Sequence, residues 1–265
     1  MSYRTIPYPK VRTLQEDVGA VLKSVNSFHA LLEVDVTCAR NAIKQHKQQT
    51  GEGISFTGFV AYCLGRAVEK HPQAHALRNW RGDFVLFDDA DINVLIEAEA
   101  EGKKLPLIHV IRAANTKTLL EIHRDIRAAQ SADIAVTTGM GKQLKWWSLF
   151  MLLPGFMRRT FWRIFFLNPH WIKQTTGTIS LSAVGMAGKG GGYGIPNANL
   201  SLSVIVGGIT ERPVLQNGQL SNREFLNLTL AFNHDVIDGA PAARFINDLR
   251  VSIEQADGLS ESSLQ

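Results

Sequence analysis

Strand-period and helix-period apolar patterns are interleaved along this chain from Thr13 to Ala256, and no run rich in Pro, Gly or Ser is long enough to divide them. A half-buried strand needs apolar residues at every second position. An amphipathic helix needs them three and four apart. Patterns mixed in this way predict a single α/β domain over residues 1–265, with helices packed on a sheet. The helix opened by Ser55 or Thr57 is the most sharply written: Phe59, Val60, Cys63, Leu64, Ala67 and Val68 share one face, and Pro72 stops it. Further helices are expected at 13–24, where Thr13 and Glu16 have capping-box spacing, and at 39–48, 119–130 and 240–256. Strands are expected at 30–36, 84–87, 91–98, 107–111, 178–184, 200–206 and 227–232.

Composition narrows the class. The chain has 265 residues, 45% of them hydrophobic, which is enough for a sizeable core without staples. Its 28 basic and 24 acidic residues form no long run of one sign, which argues against a nucleic-acid partner. Cys38 and Cys63 have neither metal-ligand spacing nor a disulfide framework around them, so two reduced thiols and no metal are expected. Residues 1–7 lack the apolar core of a signal peptide, and a cytoplasmic location is expected. The run from Gly188 to Gly194 lacks the Gly-Lys-Ser/Thr order of a phosphate loop and reads as a flexible connection.

An apolar insert at about 131–175 stands out. Its centre, Trp146–Ile172, holds four of the five tryptophans. A spanning helix needs about 20 mostly apolar residues. Pro154-Gly155 and Arg158, Arg159 and Arg163 interrupt any such run. Three roles remain for it: packing on the chain or a sister subunit, walling a pocket for an apolar acyl chain, or lying on a membrane surface.

Near the C-terminus, Asn233-His234-Asp235-Val236-Ile237-Asp238-Gly239-Ala240 joins an expected strand to an expected helix. A neutral imidazole held rigidly at a strand end can take a proton from a thiol or hydroxyl near neutral pH. Asp238 is placed to anchor the turn, and Gly239 to let it close tightly.

This His-x-x-x-Asp-Gly pattern resembles the catalytic domain of the 2-oxo acid dehydrogenase acyltransferases (the E2 components), which share their fold with chloramphenicol acetyltransferase. Other stretches match in order: Phe28-His29 with Glu33–Val36, Phe56–Pro72, Asp91–Val94, Val110–Asn115, Gly177–Met186, Gly207–Pro213 and Phe245–Leu249. The resemblance covers most of residues 10–255 outside the insert. It implies a two-layer α/β sandwich with a mixed sheet, assembled as a homotrimer with its active site between subunits. It implies acyl transfer between coenzyme A, or an acyl-coenzyme A, and a dihydrolipoyl-type thiol or another small acceptor. His234 would be the general base and Ser182 the hydroxyl donor to the tetrahedral oxyanion. Asp238 would pair with an Arg near the domain start, Arg12 by spacing, and Gly239 would support the turn.

Departures from the family pattern are specific. Asn233 stands where the family has Asp, Asp235 where it has Arg, Ala183 where it has Asn, and His109 where it often has Pro. No lipoyl-bearing Lys context is present, so a lipoyl or acyl carrier is expected to act in trans. Two other readings stand beside the enzyme: a non-catalytic trimeric scaffold, and a membrane-surface acyltransferase using Trp146–Ile172.

Overall fold

The computed structural model describes residues 2–8, 10–23, 25–100, 103–131, 149–184, 190–197, 200–216 and 218–260. The main elements are α1 (Lys10–Leu22), β1 (Ser27–Asp35), α2 (Thr37–Thr50), α3 (Phe56–Lys70), β2 (Leu77–Arg78), β3 (Phe84–Val85), β4 (Ile92–Ala100) and β5 (Lys103–Ile111). They continue with α4 (Leu119–Ser131), α5 (Gly155–Phe166), α6 (Pro169–Thr176), β6 (Ile179–Ala183), β7 (Leu202–Gln216), β8 (Gln219–Asn233) and α7 (Gly239–Glu254). Six strands form one sheet in the order β1-β8-β7-β6-β4-β5. The β7–β6 and β6–β4 pairs are parallel and the rest antiparallel, which makes the sheet mixed.

Alternation along each strand decides which face meets the helices. Ile92, Val94, Ile179, Leu181, Leu202, Val204, Leu228, Leu230 and Phe232 turn one way and are buried. Against them pack Phe59, Val60 and Leu64 of α3, Ile122 and Ile126 of α4, and Phe245, Leu249 and Ile253 of α7. The helix start at α3 is the one the sequence marks, since the Ser55 side chain accepts the Gly58 N–H. Cys63 is buried in this core, where desolvation pushes its thiol up to about 12, and neither it nor Cys38 is paired with another cysteine.

The β7–β8 hairpin runs well beyond the expected strands, reaching Gln216 and Gln219 across a turn where Gly218 has φ 79°. The Asn217-Gly218 dipeptide between apolar residues was the signal for it. The expected strand at 84–87 shrinks to two residues, because β3 pairs only with the equally short β2.

Among the described residues the insert carries α5 and α6, helices that periodicity alone did not separate. Arg158 on α5, largely shielded, donates to buried Asp17 of α1 at 2.6 Å and to the Leu153 carbonyl, and this clamps the two helices together. Asp91 then fixes the return to the sheet. Its carboxylate accepts from Arg112, Lys173 and the Ala113 N–H, and its carbonyl accepts from the Thr178 and Ile179 N–H groups. Gly177 takes φ 74° there, and a Cβ would lie 2.6 Å from the Asp91 carbonyl oxygen. Gly177→Ala is therefore expected to cost about 1–3 kcal/mol, seen as a lowered denaturation midpoint with an unchanged m-value.

His109, a departure from the family pattern, has a structural use. Its Nε2–H meets Asp125 Oδ1 at 2.9 Å while Lys117 meets Oδ2 at 2.7 Å, tying β5 to α4. The His109 hydrogen bond first, and then Lys117, pull the Asp125 carboxyl down to about 2 against the effect of partial burial. A carboxyl with its pKa lowered on folding stabilises fully above its unfolded value near 3.8 and loses that contribution as pH falls through about 2. Asp125→Asn should lower stability by about 1.5 kcal/mol at neutral pH. In thermal melts across pH, the gap to the wild type should close between pH 4 and 2.

Candidate active site

His234 leaves the end of β8 in a turn that its neighbours build. The Asn233 side chain accepts the Asp235 N–H, and the Asn233 carbonyl accepts from Val236 and Ile237. This is the local reason an Asn serves at 233: its carboxamide forms the turn without adding charge. The His234 N–H donates to the Asn26 carbonyl at 2.7 Å, which fixes the backbone to the segment entering β1. The ring edge meets Phe28 at 5.1 Å, and Phe28 in turn stacks on Phe232, its cross-strand partner. An aromatic column rooted in the core thus limits how the imidazole can turn.

Asp235, the reversed charge beside His234, accepts a hydrogen bond from Asn26 Nδ2 at 3.1 Å. Its carboxylate is thereby engaged with the β1 entry and not with the imidazole. Asp238 sits at the N-cap of α7 without capping it, and its Oδ1 lies 3.9 Å from His234 Nδ1. That is an ion-pair distance, too long for a hydrogen bond. Nε2 of His234 has no hydrogen-bond partner among the described residues, and the side chain is half exposed. The arrangement offers one ring nitrogen to a substrate and faces the other toward a carboxylate.

Two residues fall elsewhere than expected. Arg12 is exposed on α1 and forms no ion pair with Asp238 among the described residues. The Asp17–Arg158 clamp draws α1 toward α5 instead. Gly239 opens α7 without positive φ, and a Cβ there would meet nothing within 4 Å, so the turn does not require its conformational freedom.

Ser182 lies on β6 between Leu181 and Ala183, which face the core, and so projects from the opposite side of the sheet. Register places it level with Ile205 on β7 and Thr229 on β8. It is therefore two strands from β8, about 10 Å sideways, and five residues short of His234, about 15 Å along. One chain does not bring His234 and Ser182 together.

The face that carries Ser182 is covered in part by residues 190–197, which overlap the run Gly188–Gly194 expected as a flexible connection and of which 188 and 189 lie outside the described residues. The Gly208 N–H donates to the Gly192 carbonyl, and His29 Nε2 meets the Pro196 carbonyl at 2.9 Å. Glycine is required on both sides of this contact. A Cβ on Gly208 would stand 2.1 Å from the Gly190 oxygen, and one on Gly191 2.8 Å from Thr210 Cγ2. Gly207 and Gly208 also form the bulge between Val206 and Ile209. On this face Ser203 Oγ, Thr210 Oγ1, Asn227 Oδ1 and Thr229 Oγ1 are buried without a hydrogen-bond partner among the described residues. Sequence reading missed these four because alternation marks polar strand positions as solvent-facing. Gly208→Ala should lift the strap and speed hydrogen exchange of the residue-208 amide several-fold relative to its intrinsic rate, while far-ultraviolet circular dichroism stays unchanged.

No cluster of three or more candidate metal ligands occurs among the described residues.

Comparison with known proteins follows this geometry. The family model for 2-oxoacid dehydrogenases acyltransferase (catalytic domain) matches residues 2–135 and 170–260. The lipoamide acyltransferase component of the branched-chain alpha-keto acid dehydrogenase complex of Bacillus subtilis is 27% identical over 232 residues, covering 86% of this chain and 46% of that protein. The dihydrolipoyllysine-residue acetyltransferase component of the Rickettsia prowazekii pyruvate dehydrogenase complex is 23% identical over 258 residues, covering 95% of this chain and 54% of that protein. The chain thus spans about half the length of these curated relatives.

Among solved structures, Azotobacter vinelandii dihydrolipoamide acetyltransferase superposes with TM-score 0.66 at 17% identity, covering 97% of this chain and 94% of that one. That structure addressed a serine, a histidine and an asparagine in its catalytic mechanism; the serine stands 52 residues before the histidine and the asparagine four after it. A chloramphenicol acetyltransferase superposes with TM-score 0.50 at 14% identity, covering 93% of this chain and 96% of that one. The expected sandwich with a mixed sheet is therefore the fold of this chain.

Proposed function

This chain belongs to the family of 2-oxoacid dehydrogenase acyltransferase catalytic domains, and on that premise we propose that it transfers an acyl group between coenzyme A and a thiol of dihydrolipoyl type, or another small acceptor. The observation that carries the proposal is the matched pair His234 and Ser182. They stand 52 residues apart (182 to 234), the spacing of the mechanistic serine and histidine in the Azotobacter enzyme, with Asp238 four residues on where that enzyme has asparagine.

His234 Nε2 takes the proton of the attacking thiol, and the thiolate adds to the thioester carbonyl. The Ser182 hydroxyl donates to the resulting oxyanion, where one such donor is worth about 2.7–4 kcal/mol. The carbon–sulfur bond to the departing thiol then breaks, and the imidazolium returns its proton to that sulfur. Asp238 Oδ1 faces Nδ1 at 3.9 Å, on the side of the ring away from the reacting nitrogen.

His234 and Ser182 lie far apart and on different sides of one sheet, so their joint action needs two copies of the chain. A homotrimer, with Ser182 of one copy facing His234 of the next, fits this separation and the family resemblance. The acyl or lipoyl group would then arrive as a coenzyme A thioester or on a carrier in trans. The tethering of Asp235 to Asn26 favours an active enzyme over a silent scaffold, because the reversed charge does not engage the imidazole.

Thiol release from a panel of acyl-coenzyme A donors with dihydrolipoamide tests the proposal. His234→Ala should lower kcat by about 10²–10⁴ and Ser182→Ala by about 10²–10³. Mixing the two inactive variants should restore part of the activity, since mixed trimers contain intact interfaces. Equal activity of wild type and His234→Ala would reject the proposal.

A further inference from the structure

The face of α5 that turns away from the protein is apolar. Phe156, Ile164 and Leu167 lie along one line of the helix, and they are 68%, 55% and 48% exposed. Met157 and Phe161 widen this face, and nearby Leu152 and Trp171 are also exposed. Phe165, Arg158 and Trp162 occupy the opposite side and hold the helix on the body. At one edge of the apolar face stand Arg159 and Arg163. Arg163 also lines a shallow groove between α1 and α5, together with Lys23, Ala20, Phe166 and Leu167.

Charge along this stretch of the sequence is one-sided, with Arg158 and Arg159 paired to Asp17 and Lys173 paired to Asp91 from outside it. From Ile134 to Thr210 there is no Asp or Glu, and there are seven Lys or Arg residues: Lys142, Lys145, Arg158, Arg159, Arg163, Lys173 and Lys189. The chain total is 28 basic against 24 acidic, so the remainder carries 21 against 24 and is net negative. One region of a nearly balanced chain therefore concentrates basic residues in the segment that carries the exposed Phe156, Phe161 and Trp171.

We propose that α5 docks the chain on the surface of an anionic lipid bilayer, with the helix in the membrane plane. A helix of 12 residues is about 18 Å long, too short to span. No helix among the described residues is long and apolar enough to cross a membrane. An amphipathic helix with Phe, Ile and Leu on one side and Arg at the margin is the form that inserts at the headgroup level. Lys23 and Arg163 supply the groove with two cations for headgroup phosphates, and each basic residue near an anionic surface adds to the attraction.

Two other occupants fit less well. The trimer proposed above would be built from parts shared with the family, whereas α5 falls within residues 136–169, outside the matched segments. The face is convex, not a pocket, so it could not enclose a substrate acyl chain. This docking is independent of acyl transfer, and its test reads no activity.

The full chain would be sedimented with vesicles of phosphatidylcholine containing about one-third phosphatidylglycerol, and with vesicles of phosphatidylcholine alone. Binding is expected to the anionic vesicles, to fall about tenfold without the anionic lipid, and to weaken in about 0.5 M salt. Phe156→Glu/Ile164→Glu changes only exposed positions. It should lose at least about tenfold of the binding with unchanged circular dichroism and sedimentation velocity, and Arg163→Glu should weaken binding to anionic vesicles alone. The proposal is overturned if the wild type does not sediment with anionic vesicles, or if the double variant binds them equally. It is also overturned if the double variant changes oligomeric state, because a second copy would then cover the face.

Discussion

Asp91 is the junction on which the arrangement of this protein depends. Its buried carboxylate gathers Arg112, Lys173 and a backbone N–H, and these partners hold its charge so well that its carboxyl lies below the usual range despite burial. Burying a carboxylate is tolerable only with such compensation. Its own carbonyl meanwhile receives the chain as it returns from the insert. One residue therefore sets where β6 begins beside β4, and β6 carries Ser182. Nearby, His75 meets Thr178 at 3.0 Å and is pushed down to about 4 by desolvation and then by Lys173, so it stays neutral within this cationic surround.

The sheet's two faces follow different rules. The helical face is filled by apolar side chains from alternate strand positions. The other is closed against backbone, with the glycines of the β7 bulge meeting those of the 190–197 strap. Close approach of two chains leaves no room for Cβ atoms, so the contact is written in glycine on both sides. The buried hydroxyls and carboxamide on this face form a polar layer without hydrogen-bond partners among the described residues. This layer lies on the face where Ser182 emerges, the same face that the proposed subunit contact would bring to a neighbouring His234.

The insert shows how a family fold can acquire a new surface without disturbing its sheet. Its helices are secured at one end by Asp17 with Arg158 and at the other by Asp91 with Lys173 and Gly177. Both anchors are ionic and sparingly exposed. Anchored in this way, α5 can leave half of its circumference apolar without unravelling the body behind it.

Much of this was legible in the sequence because the interactions involved are local. Periodicity located α3, α4, α7, β4 and β6 to within a few residues. Ser55 marked its helix start, and the residues around His234 identified both a turn and a family. Pairing across the sheet was not legible, since hydrogen bonds between β1 and β8 join residues some 200 positions apart in sequence. Arg12 illustrates the limit. Its position in a matching segment implied a pairing with Asp238, yet a buried ion pair in the insert redirects its helix. His234 and Ser182 as chemical groups were decided by the sequence alone. Their separation within one chain was decided only by the tertiary structure. Strand register and face are properties of a whole sheet, and no residue encodes them by itself.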